Sequence, residues 1–349
     1  MLAERQRVVV ADGSRLMRRV LADALDRQGF DVVATAGDGD EALAACAEHR
    51  PDALTLDLAM PGTDGMSVLR ALRDGRTEPV PVVVVSAFSP AHGARAVDAL
   101  AEGAFDLVAK PASGAGLGAF AEELGRKVSA AAASARRRVA AVRPVPWRRP
   151  ARAAVLPGRA TGARRAVVIA CSTGGPKALG ELIPRLPSPL GAGVLIVQHM
   201  PPGFTASLAA RLDGLSPLDV REAAGGESLE PGVALLAPGG AHLRLADDRR
   251  AVLSDDAAIG GLRPRADLTI ADVARLYGER VLLVVLTGMG RDGLEGAEAV
   301  RAAGGRVLCE AEATCTVYGM PRVVAEAGLA DEVLDLDELP AAIAREAVG

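Results

Sequence analysis

The 349-residue chain is poor in aromatic residues, which make up 2% of it. Binding of single-stranded nucleic acid depends on aromatic stacking platforms, so this composition argues against it. The net charge of −4 also provides no basic footprint for DNA, and we expect no nucleic-acid partner. A core with so few aromatics must be built from Val, Leu, Ile and Ala, which favours parallel sheets covered by helices on both faces.

Signals for export and membrane insertion are also missing. The N-terminus lacks the order of charged, apolar and small residues that defines a signal peptide, and no apolar run reaches transmembrane length. The four cysteines do not have the paired spacing of a zinc site. We therefore expect a cytoplasmic protein with reduced thiols and no direct membrane insertion.

The length and pattern of the chain predict two α/β domains. In residues 1–125 short apolar strands alternate with helical segments five times, which predicts an open doubly wound sheet of the flavodoxin-like type. Residues 126–163 are rich in Ala, Arg and Pro, which favours an exposed linker over a contact with an acidic surface. Residues 164–349 alternate strands with helices again, so we expect a second, mainly parallel doubly wound domain.

Polar residues follow four of the five strands predicted in the first domain. They are Asp12, Asp57, Ser86 and Lys110, after strands one, three, four and five. Because parallel strands end at one edge of a sheet, we expect these side chains to meet in one crevice. A helix cap or a solvated loop would explain any one of them, but four in register indicate a site.

Three strand ends in the second domain also carry reactive side chains. Ser172 follows the apolar run Ala166–Ala170 and precedes a glycine turn and a helix, while His199 and Asp292 follow two further apolar strands. An imidazole can take the proton of a serine hydroxyl, and a carboxylate can fix the imidazole's tautomer. The order Ser, His, Asp and the lack of the first glycine of Gly-x-Ser-x-Gly argue against an ordinary α/β-hydrolase.

Two other interpretations compete with this triad. The run Gly288-Met-Gly-Arg-Asp-Gly293 has the form Gly-x-Gly-x-x-Gly, and Glu310 ends the next strand, as in a dinucleotide site. Against this, Asp292 would place a carboxylate where the pyrophosphate binds. Cys171, beside Ser172, is the second alternative, as a thiol nucleophile; adjacent residues on a turn point in different directions, so only one of them can face His199.

Residues 5–125 resemble a response-regulator receiver domain on the polar residues named above. The resemblance implies that Asp57 is the phosphoacceptor and that Ser86 carries the switch hydroxyl. It also implies that Lys110 is the lysine that precedes proline in this family, and that Asp12 is an acid that holds Mg²⁺. The chemistry is consistent with phosphoryl transfer to a carboxylate, with cations neutralising the phosphoryl oxygens. The phosphodonor that the resemblance implies is a histidine kinase.

One position departs from the receiver pattern. Gly13 follows Asp12, where the family has its second acid. We expect the Mg²⁺ ligands to be Asp12, Asp57 and the backbone carbonyl of Ala59, and the affinity for Mg²⁺ to be weakened by Gly13.

The second domain is similar to the chemotaxis protein-glutamate methylesterase family, CheB. The similarity lies in four motifs: Cys171-Ser-Thr-Gly-Gly-Pro, Gln198-His-Met-Pro-Pro-Gly-Phe-Thr, Leu286-Thr-Gly-Met-Gly-Arg-Asp-Gly and Ala313-Thr-Cys-Thr-Val-Tyr-Gly-Met-Pro. It implies that Ser172 is the nucleophile, His199 the general base and Asp292 the group that orients the base. The backbone N–H groups of Thr173 and Met289 are the candidates for the oxyanion hole.

The resemblance also implies a function. The chain is expected to remove γ-methyl esters from glutamyl residues on the cytoplasmic helices of chemoreceptors, to deamidate receptor glutamines, and to be regulated by phosphorylation from the chemotaxis histidine kinase. Hydrolysis is expected to need no cofactor, whereas receiver phosphorylation needs Mg²⁺. The alternative is a phosphorylation-controlled module that binds receptors or kinase with little catalysis.

Overall fold

The chain divides into two units, Met1–Val145 and Pro146–Gly349. The computed structural model describes residues 5–74, 79–87, 90–111, 116–135, 163–188 and 190–348. Most of the predicted linker, residues 136–162, therefore lies outside the described residues. The last helix of the first unit continues to Ala135, ten residues past the domain end expected at residue 125. The domain boundaries expected from the sequence stay predictions.

The first unit is a parallel sheet with helices between its strands. The strands are β1 (Arg7–Ala11), β2 (Asp31–Ala36), β3 (Ala53–Leu56), β4 (Val82–Ser86) and β5 (Asp106–Ala109). The helices are α1 (Arg15–Arg27), α2 (Gly39–His49), α3 (Gly65–Arg73), α4 (Pro90–Ala101) and α5 (Leu117–Ala135). The strand order β2-β1-β3-β4-β5 is that of the flavodoxin-like fold, which confirms the predicted fold class.

Local sequence explains where the helices of this unit begin. The side chains of Ser14, Asp38 and Asp64 each accept a hydrogen bond from the backbone N–H three residues further on, and so cap α1, α2 and α3. The central strands β1, β3 and β4 are buried almost throughout, as expected for apolar strands covered on both faces. The caps and the buried strands together fix the loops that follow the strand ends.

The second unit contains a larger parallel sheet. Its strands are β6 (Arg165–Cys171), β7 (Ala192–Gln198), β8 (Asp219–Glu222), β9 (Val233–Leu236), β10 (His242–Leu245), β11 (Ala251–Ser254), β12 (Val281–Val285), β13 (Arg306–Glu310) and β14 (Glu332–Leu334). Its helices are α6 (Gly175–Leu182), α7 (Phe204–Leu215), α8 (Ala266–Tyr277), α9 (Leu294–Ala302), α10 (Met320–Glu326) and α11 (Leu339–Val348). Two short 3₁₀ turns, Ile183–Arg185 and Gly278–Arg280, follow α6 and α8.

The strand order of this sheet places its reactive edge. Seven parallel strands run in the order β14-β13-β12-β6-β7-β9-β8, while β10 and β11 form a separate antiparallel pair. From the central strand β6, the sheet extends on one side through β7, β9 and β8, and on the other side through β12, β13 and β14. A crevice forms where the strand order reverses in this way, and ligands bind at such a point. No helix in the described ranges has the length and apolarity to cross a membrane.

We expect Gly65→Ala to destabilise the first unit, because α3 begins in direct contact with the end of β3. A Cβ at Gly65 would lie 2.3 Å from the backbone oxygen of Asp57 and 2.8 Å from the Cα of Leu58. Overpacking of this kind lowers the free energy of unfolding by roughly 1–3 kcal/mol. Calorimetric unfolding of the full chain measures the effect.

Gly118→Ala is the matched control for this substitution. Gly118 lies in the first turn of α5, and nothing is found within 4 Å of a Cβ built there. Alanine at this helical position should stabilise the unit by about 0.5–1 kcal/mol. Equal effects of the two substitutions would contradict the close approach at Gly65.

Candidate functional site

Ser172 lies between the end of β6 and the start of α6, at the point where the strand order reverses. Its N–H donates to the backbone oxygen of Thr287 at 3.0 Å, and its own carbonyl accepts from the N–H of Gly175 at 2.8 Å. The Nε2 of Gln198 also donates to that carbonyl at 3.0 Å. The backbone of the half-buried serine is therefore held from both neighbouring strands, by the carbonyl of Thr287 on one side and the side chain of Gln198 on the other.

His199 and Asp292 form a direct pair at the same edge. The His199 Nε2 lies 2.7 Å from the Oδ2 of Asp292, and both side chains are buried. The His199 N–H donates to the backbone oxygen of Cys171 at 3.0 Å, which joins the ends of β7 and β6. The structure thus brings together the residues that the sequence predicts as base and orienting acid, next to the predicted nucleophile.

The surroundings of Asp292 keep its carboxylate ionised. Its Oδ2 also accepts from the N–H of Ala266 at 2.7 Å, and its Oδ1 accepts from the N–H groups of Asp267 at 2.9 Å and Gly293 at 3.1 Å. Burial opposes ionisation, but the hydrogen bond and charge of His199, followed by hydrogen bonds from the Asp267 side chain and the Ala266 N–H, hold the pKa of Asp292 well below its usual range. An ionised Asp292 keeps the proton of His199 on Nε2.

The Nδ1 of His199 is the atom left to accept a proton. It is buried and has no hydrogen-bond partner among the described residues, so the Ser172 hydroxyl does not donate to it in this state. Contacts between a nucleophile and its base are often loose without substrate and tighten when substrate binds. His199 thus has one nitrogen paired with Asp292 and one unpaired nitrogen that can accept a proton.

The structure argues against Cys171 as the nucleophile. Its side chain is fully buried, and its Sγ donates to the Oε1 of Gln198 at 3.1 Å. Burial, and secondarily the charge of Glu310, raise the pKa of the Cys171 thiol far above its usual value. A thiolate is the nucleophilic form of cysteine, and this site disfavours it.

The dinucleotide interpretation is wrong for two reasons. Glu310 is fully buried, and its Oε2 accepts from the N–H of Thr287 at 2.8 Å, so it is not exposed to a ribose. Asp292 faces His199 instead of leaving room for a pyrophosphate. Gly288 is a glycine because a Cβ there would lie 2.8 Å from the Cβ of Ser172. The absence of a side chain at Gly288 therefore leaves room for Ser172.

The predicted oxyanion donors lie on backbone that is held on both sides of Ser172. The Thr173 carbonyl accepts from the Oγ1 of Thr287 at 2.9 Å. Just before Met289, the N–H of Gly288 donates to Val317 at 3.0 Å, and its carbonyl accepts from Met320 at 2.8 Å. The assignment of the Thr173 and Met289 N–H groups to an oxyanion hole stays a prediction.

The sequence does not identify four residues that shape this site: Gln198, Arg265, Asp267 and Thr287. Gln198 and Thr287 follow or end apolar strands, so a polar residue at a buried strand end is the signal that could have found them. Arg265 and Asp267 lie at the start of α8, far from the triad in sequence. Their proximity to Asp292 has no sequence signal, because it depends on how α8 packs against α9.

The first unit brings its predicted residues to one crevice as well. The Nζ of Lys110 lies 2.7 Å from the Oδ2 of Asp12 and 2.8 Å from the Oδ2 of Asp57. Burial raises the pKa of Asp12, against the lowering effect of Lys110. Ser86 is buried at the end of β4, and its carbonyl accepts from the Lys110 N–H at 2.8 Å, while its hydroxyl faces the carbonyl of Ala87.

Position 13 lies where the sequence places the missing acid. A Cβ at Gly13 would be 3.2 Å from the carbonyl oxygen of Ala59, so that carbonyl borders the same crevice. Within the described ranges, no group of three or more His, Cys, Asp or Glu side chains is arranged to hold a metal. The assignment of Asp12, Asp57 and the Ala59 carbonyl as ligands of Mg²⁺ stays a prediction.

Comparisons with known proteins identify a family for each of the two units. A family model described as CheB methylesterase matches residues 167–343, and a model of the response regulator receiver domain matches residues 8–120. A curated relative from Symbiobacterium thermophilum, named protein-glutamate methylesterase/protein-glutamine glutaminase, is 46% identical over 354 residues, which cover 98% of this chain and 97% of the relative. A relative of the same name from Pyrococcus horikoshii is 37% identical and covers 99% of this chain and 94% of its own length.

A solved structure resembles the second unit. The crystal structure of the Thermotoga maritima CheB methylesterase catalytic domain is 44% identical to this chain, with a TM-score of 0.51. The match covers 52% of this chain and 97% of the Thermotoga chain. The similarity therefore extends over nearly the whole of that catalytic domain.

We expect Ser172 and not Cys171 to react with phenylmethanesulfonyl fluoride, a reagent for activated serines. Mass spectrometry of the labelled full chain should place one adduct on Ser172. Cys171→Ala should label at about the wild-type rate, because the thiol is not needed, and His199→Gln should label at least roughly tenfold more slowly, because the base is lost. An adduct that disappears in Cys171→Ala would overturn the choice of nucleophile.

Proposed function

This chain belongs to the CheB methylesterase family, and from that premise we propose that it is a protein-glutamate methylesterase and protein-glutamine glutaminase in which Ser172, His199 and Asp292 perform the hydrolysis. The observation that carries the proposal is the 2.7 Å contact between His199 Nε2 and Asp292 Oδ2 beside the Ser172 turn. A buried, ionised carboxylate, an imidazole with one free nitrogen and a serine at the adjacent strand end are the groups that acyl transfer needs.

In the first half of the reaction the Ser172 oxygen attacks the carbonyl carbon of the glutamyl γ-methyl ester. His199 Nδ1 takes the hydroxyl proton as the new C–O bond forms, and Asp292 stabilises the resulting imidazolium. The tetrahedral intermediate collapses when the C–OCH₃ bond breaks, and the imidazolium returns the proton to the leaving oxygen. Methanol departs and an acyl-serine remains.

In the second half water replaces the serine as nucleophile. His199 takes a proton from water as the hydroxide adds to the acyl carbon, and the same proton returns to the Ser172 oxygen when the acyl bond breaks. The product is a glutamic acid side chain, which releases a proton to water and becomes the carboxylate. With a glutamine side chain as substrate the leaving group is ammonia in place of methanol, and the remaining steps are the same.

We assign the oxyanion of both tetrahedral intermediates to the N–H groups of Thr173 and Met289. Donors held in place before the reaction stabilise developing charge without reorganisation. The contacts of Thr287 with Thr173 and of Gly288 with Val317 and Met320 support such preorganisation on both sides of Ser172. Hydrolysis by these groups requires no metal or organic cofactor.

The first unit is a receiver domain, and phosphorylation there regulates the enzyme. We propose Asp57 as the phosphoacceptor. Lys110 already contacts the Asp57 carboxylate at 2.8 Å and can neutralise an added phosphoryl group, while the Ser86 hydroxyl, at the end of the neighbouring strand, can turn towards it. The change at Asp57 is one of charge, from a carboxylate held by a lysine to a phosphoryl group.

Asp12, Asp57 and the Ala59 carbonyl would hold Mg²⁺ for this step. When bound, Mg²⁺ neutralises the oxygens of the transferring phosphoryl group. The chain itself supplies two carboxylates at this edge, and Gly13 adds no third. We therefore propose that phosphorylation needs Mg²⁺ at a higher concentration than a receiver with two adjacent acids would.

The proposed partners rest on membership of the family. We propose that the substrates are methylated glutamyl residues on the cytoplasmic helices of chemoreceptors, that the phosphodonor is the chemotaxis histidine kinase, and that both reactions take place in the cytoplasm. The alternative, a phosphorylation-controlled binding module with little catalysis, predicts receptor binding without release of methanol.

Ser172→Ala should abolish methanol release from methylated receptor, with a loss of roughly 10⁴-fold or more, because the nucleophile is absent. Gas chromatography of methanol released by the full chain measures it. Asp57→Asn is the control that leaves the triad intact: it should keep the unphosphorylated rate and lose the increase produced by acetyl phosphate. Wild-type protein that binds receptor but releases no methanol would favour the binding-module alternative.

Gly13→Asp should lower the Mg²⁺ concentration that gives half-maximal phosphorylation of Asp57, by about tenfold, because a third carboxylate joins the metal site. The Cβ contacts at 3.2 Å are tight but require only small shifts. Acetyl-phosphate labelling across a Mg²⁺ titration provides the measurement. Gly13→Asn is the isosteric control without the charge, and an equal gain from both substitutions would contradict the role given to the missing acid.

A further inference from the structure

Asp267 is a second buried carboxylate beside the triad that the mechanism above does not use. It lies in the first turn of α8 with 5% of its surface exposed. Its Oδ1 accepts from the N–H groups of Gly293 and Gly296, each at 2.8 Å, and its Oδ2 accepts from the Nη2 of Arg265 at 2.7 Å. All of these donors lie next to Asp292 in sequence or in space.

Asp267 and Asp292 share one backbone donor and one guanidinium group. The N–H of Gly293 lies 2.8 Å from the Oδ1 of Asp267 and 3.1 Å from the Oδ1 of Asp292. The guanidinium of Arg265 pairs with Asp267 through Nη2 and lies 3.6 Å from the Oδ1 of Asp292 through Nε. The backbone N–H of Asp267 itself donates to Asp292 at 2.9 Å. Asp267 therefore lies one contact away from the carboxylate that orients His199.

We propose that Asp267 is a positioning residue for the His199–Asp292 pair. It fixes Asp292 through the shared Gly293 and Arg265 donors, and its negative charge makes His199 a stronger base. The proposal rests on the role of His199 as general base in the proposed function. Asp267 touches neither Ser172 nor His199 in the structure, so its effect is exerted through Asp292.

The charges around Asp267 support this role. Arg265 and Asp292 are the charged groups in contact with Asp267, and Glu295 pairs with Arg265 at 3.5 Å. Two histidines lie one contact further away: His199 pairs with Asp292, and the Nδ1 of His242 accepts from the Arg265 N–H at 3.2 Å. Burial, and then the hydrogen bonding and charge of Asp292, raise the pKa of Asp267 to about 6. Asp267 thus gains its charge in the pH range in which an ordinary histidine loses its own.

A purely structural role would give a different result from the same contacts. Gly293 is the N-cap of α9 and has no side chain to cap it, so Asp267 could serve only to satisfy that helix. An asparagine there can still accept from Gly293 and Gly296 but carries no charge and offers N–H to Arg265. Asp267→Asn therefore separates the cap from the charge.

The test uses the full chain and measures two properties over the range from pH 5 to 9. The first is kcat and KM for methyl-ester hydrolysis. The second is the titration of the His199 imidazole by NMR, which the chain favours because it contains four histidines. We expect Asp267→Asn to lower kcat roughly tenfold with KM unchanged, and to shift the acidic limb and the His199 titration down by about one pH unit.

Asp272→Asn is the matched control. Asp272 lies one and a half turns further along α8, is similarly buried, and accepts from the Nε of Arg244 at 2.6 Å and its Nη2 at 3.0 Å. Removing the charge of Asp272 should lower the free energy of unfolding, because the ion pair with Arg244 is broken. The pH at which His199 titrates should not change. If Asp267→Asn does not fold, Asp267→Ser takes its place, because the hydroxyl can still accept from α9 without a charge.

Each outcome decides one question. A wild-type His199 titration in folded Asp267→Asn, with the pH limb unchanged, overturns the proposal even if stability falls. A downward shift absent from Asp272→Asn supports it. Wild-type protein that releases no methanol would refute the proposed function instead, and the NMR titration would still report on Asp267.

Discussion

The buried carboxylate of Asp292 is the constraint on which the catalytic unit depends. A carboxylate with 3% of its surface exposed stays ionised only if its oxygens are well supplied with donors. Here His199 supplies one, and the backbone N–H groups of Ala266, Asp267 and Gly293 supply three. These donors come from the start of α8 and the turn before α9, so the packing of two helices is what holds the base in its reactive tautomer.

The nucleophile depends on the same edge of the sheet in another way. Ser172 lies at the end of β6, which has β7 on one side and β12 on the other. Gln198 ties the carbonyls of Ser172 and His199 together, at 3.0 and 2.9 Å, and Thr287 ties the turn to the end of β12. The backbone of the serine, the histidine and the Thr173 oxyanion candidate is therefore held by hydrogen bonds from two buried polar residues at neighbouring strand ends, Gln198 and Thr287.

The receiver unit uses a comparable arrangement for a different end. Lys110 lies between Asp12 and Asp57. Its positive charge offsets the repulsion between the two buried carboxylates. Removing charge from one carboxylate or adding a phosphoryl group to the other changes what the lysine pairs with. Gly13 adds no third carboxylate at this edge, so Lys110 contacts both of the acids that lie there.

The sequence by itself determined the two α/β folds, the strand ends that carry reactive side chains, and the absence of an acid at position 13. These follow from local pattern, because apolar runs of strand length alternate with helical segments and parallel strands end at a common edge. Only the tertiary structure shows that the Cys171 thiol is buried against Gln198, which disfavours it as a nucleophile, since that contact depends on β7. It also decided that Glu310 holds Thr287 and binds no ribose, and it brought Arg265 and Asp267 to Asp292. Contacts of that kind join residues some 25 positions apart across two helices, and no local periodicity records which faces of two helices will meet.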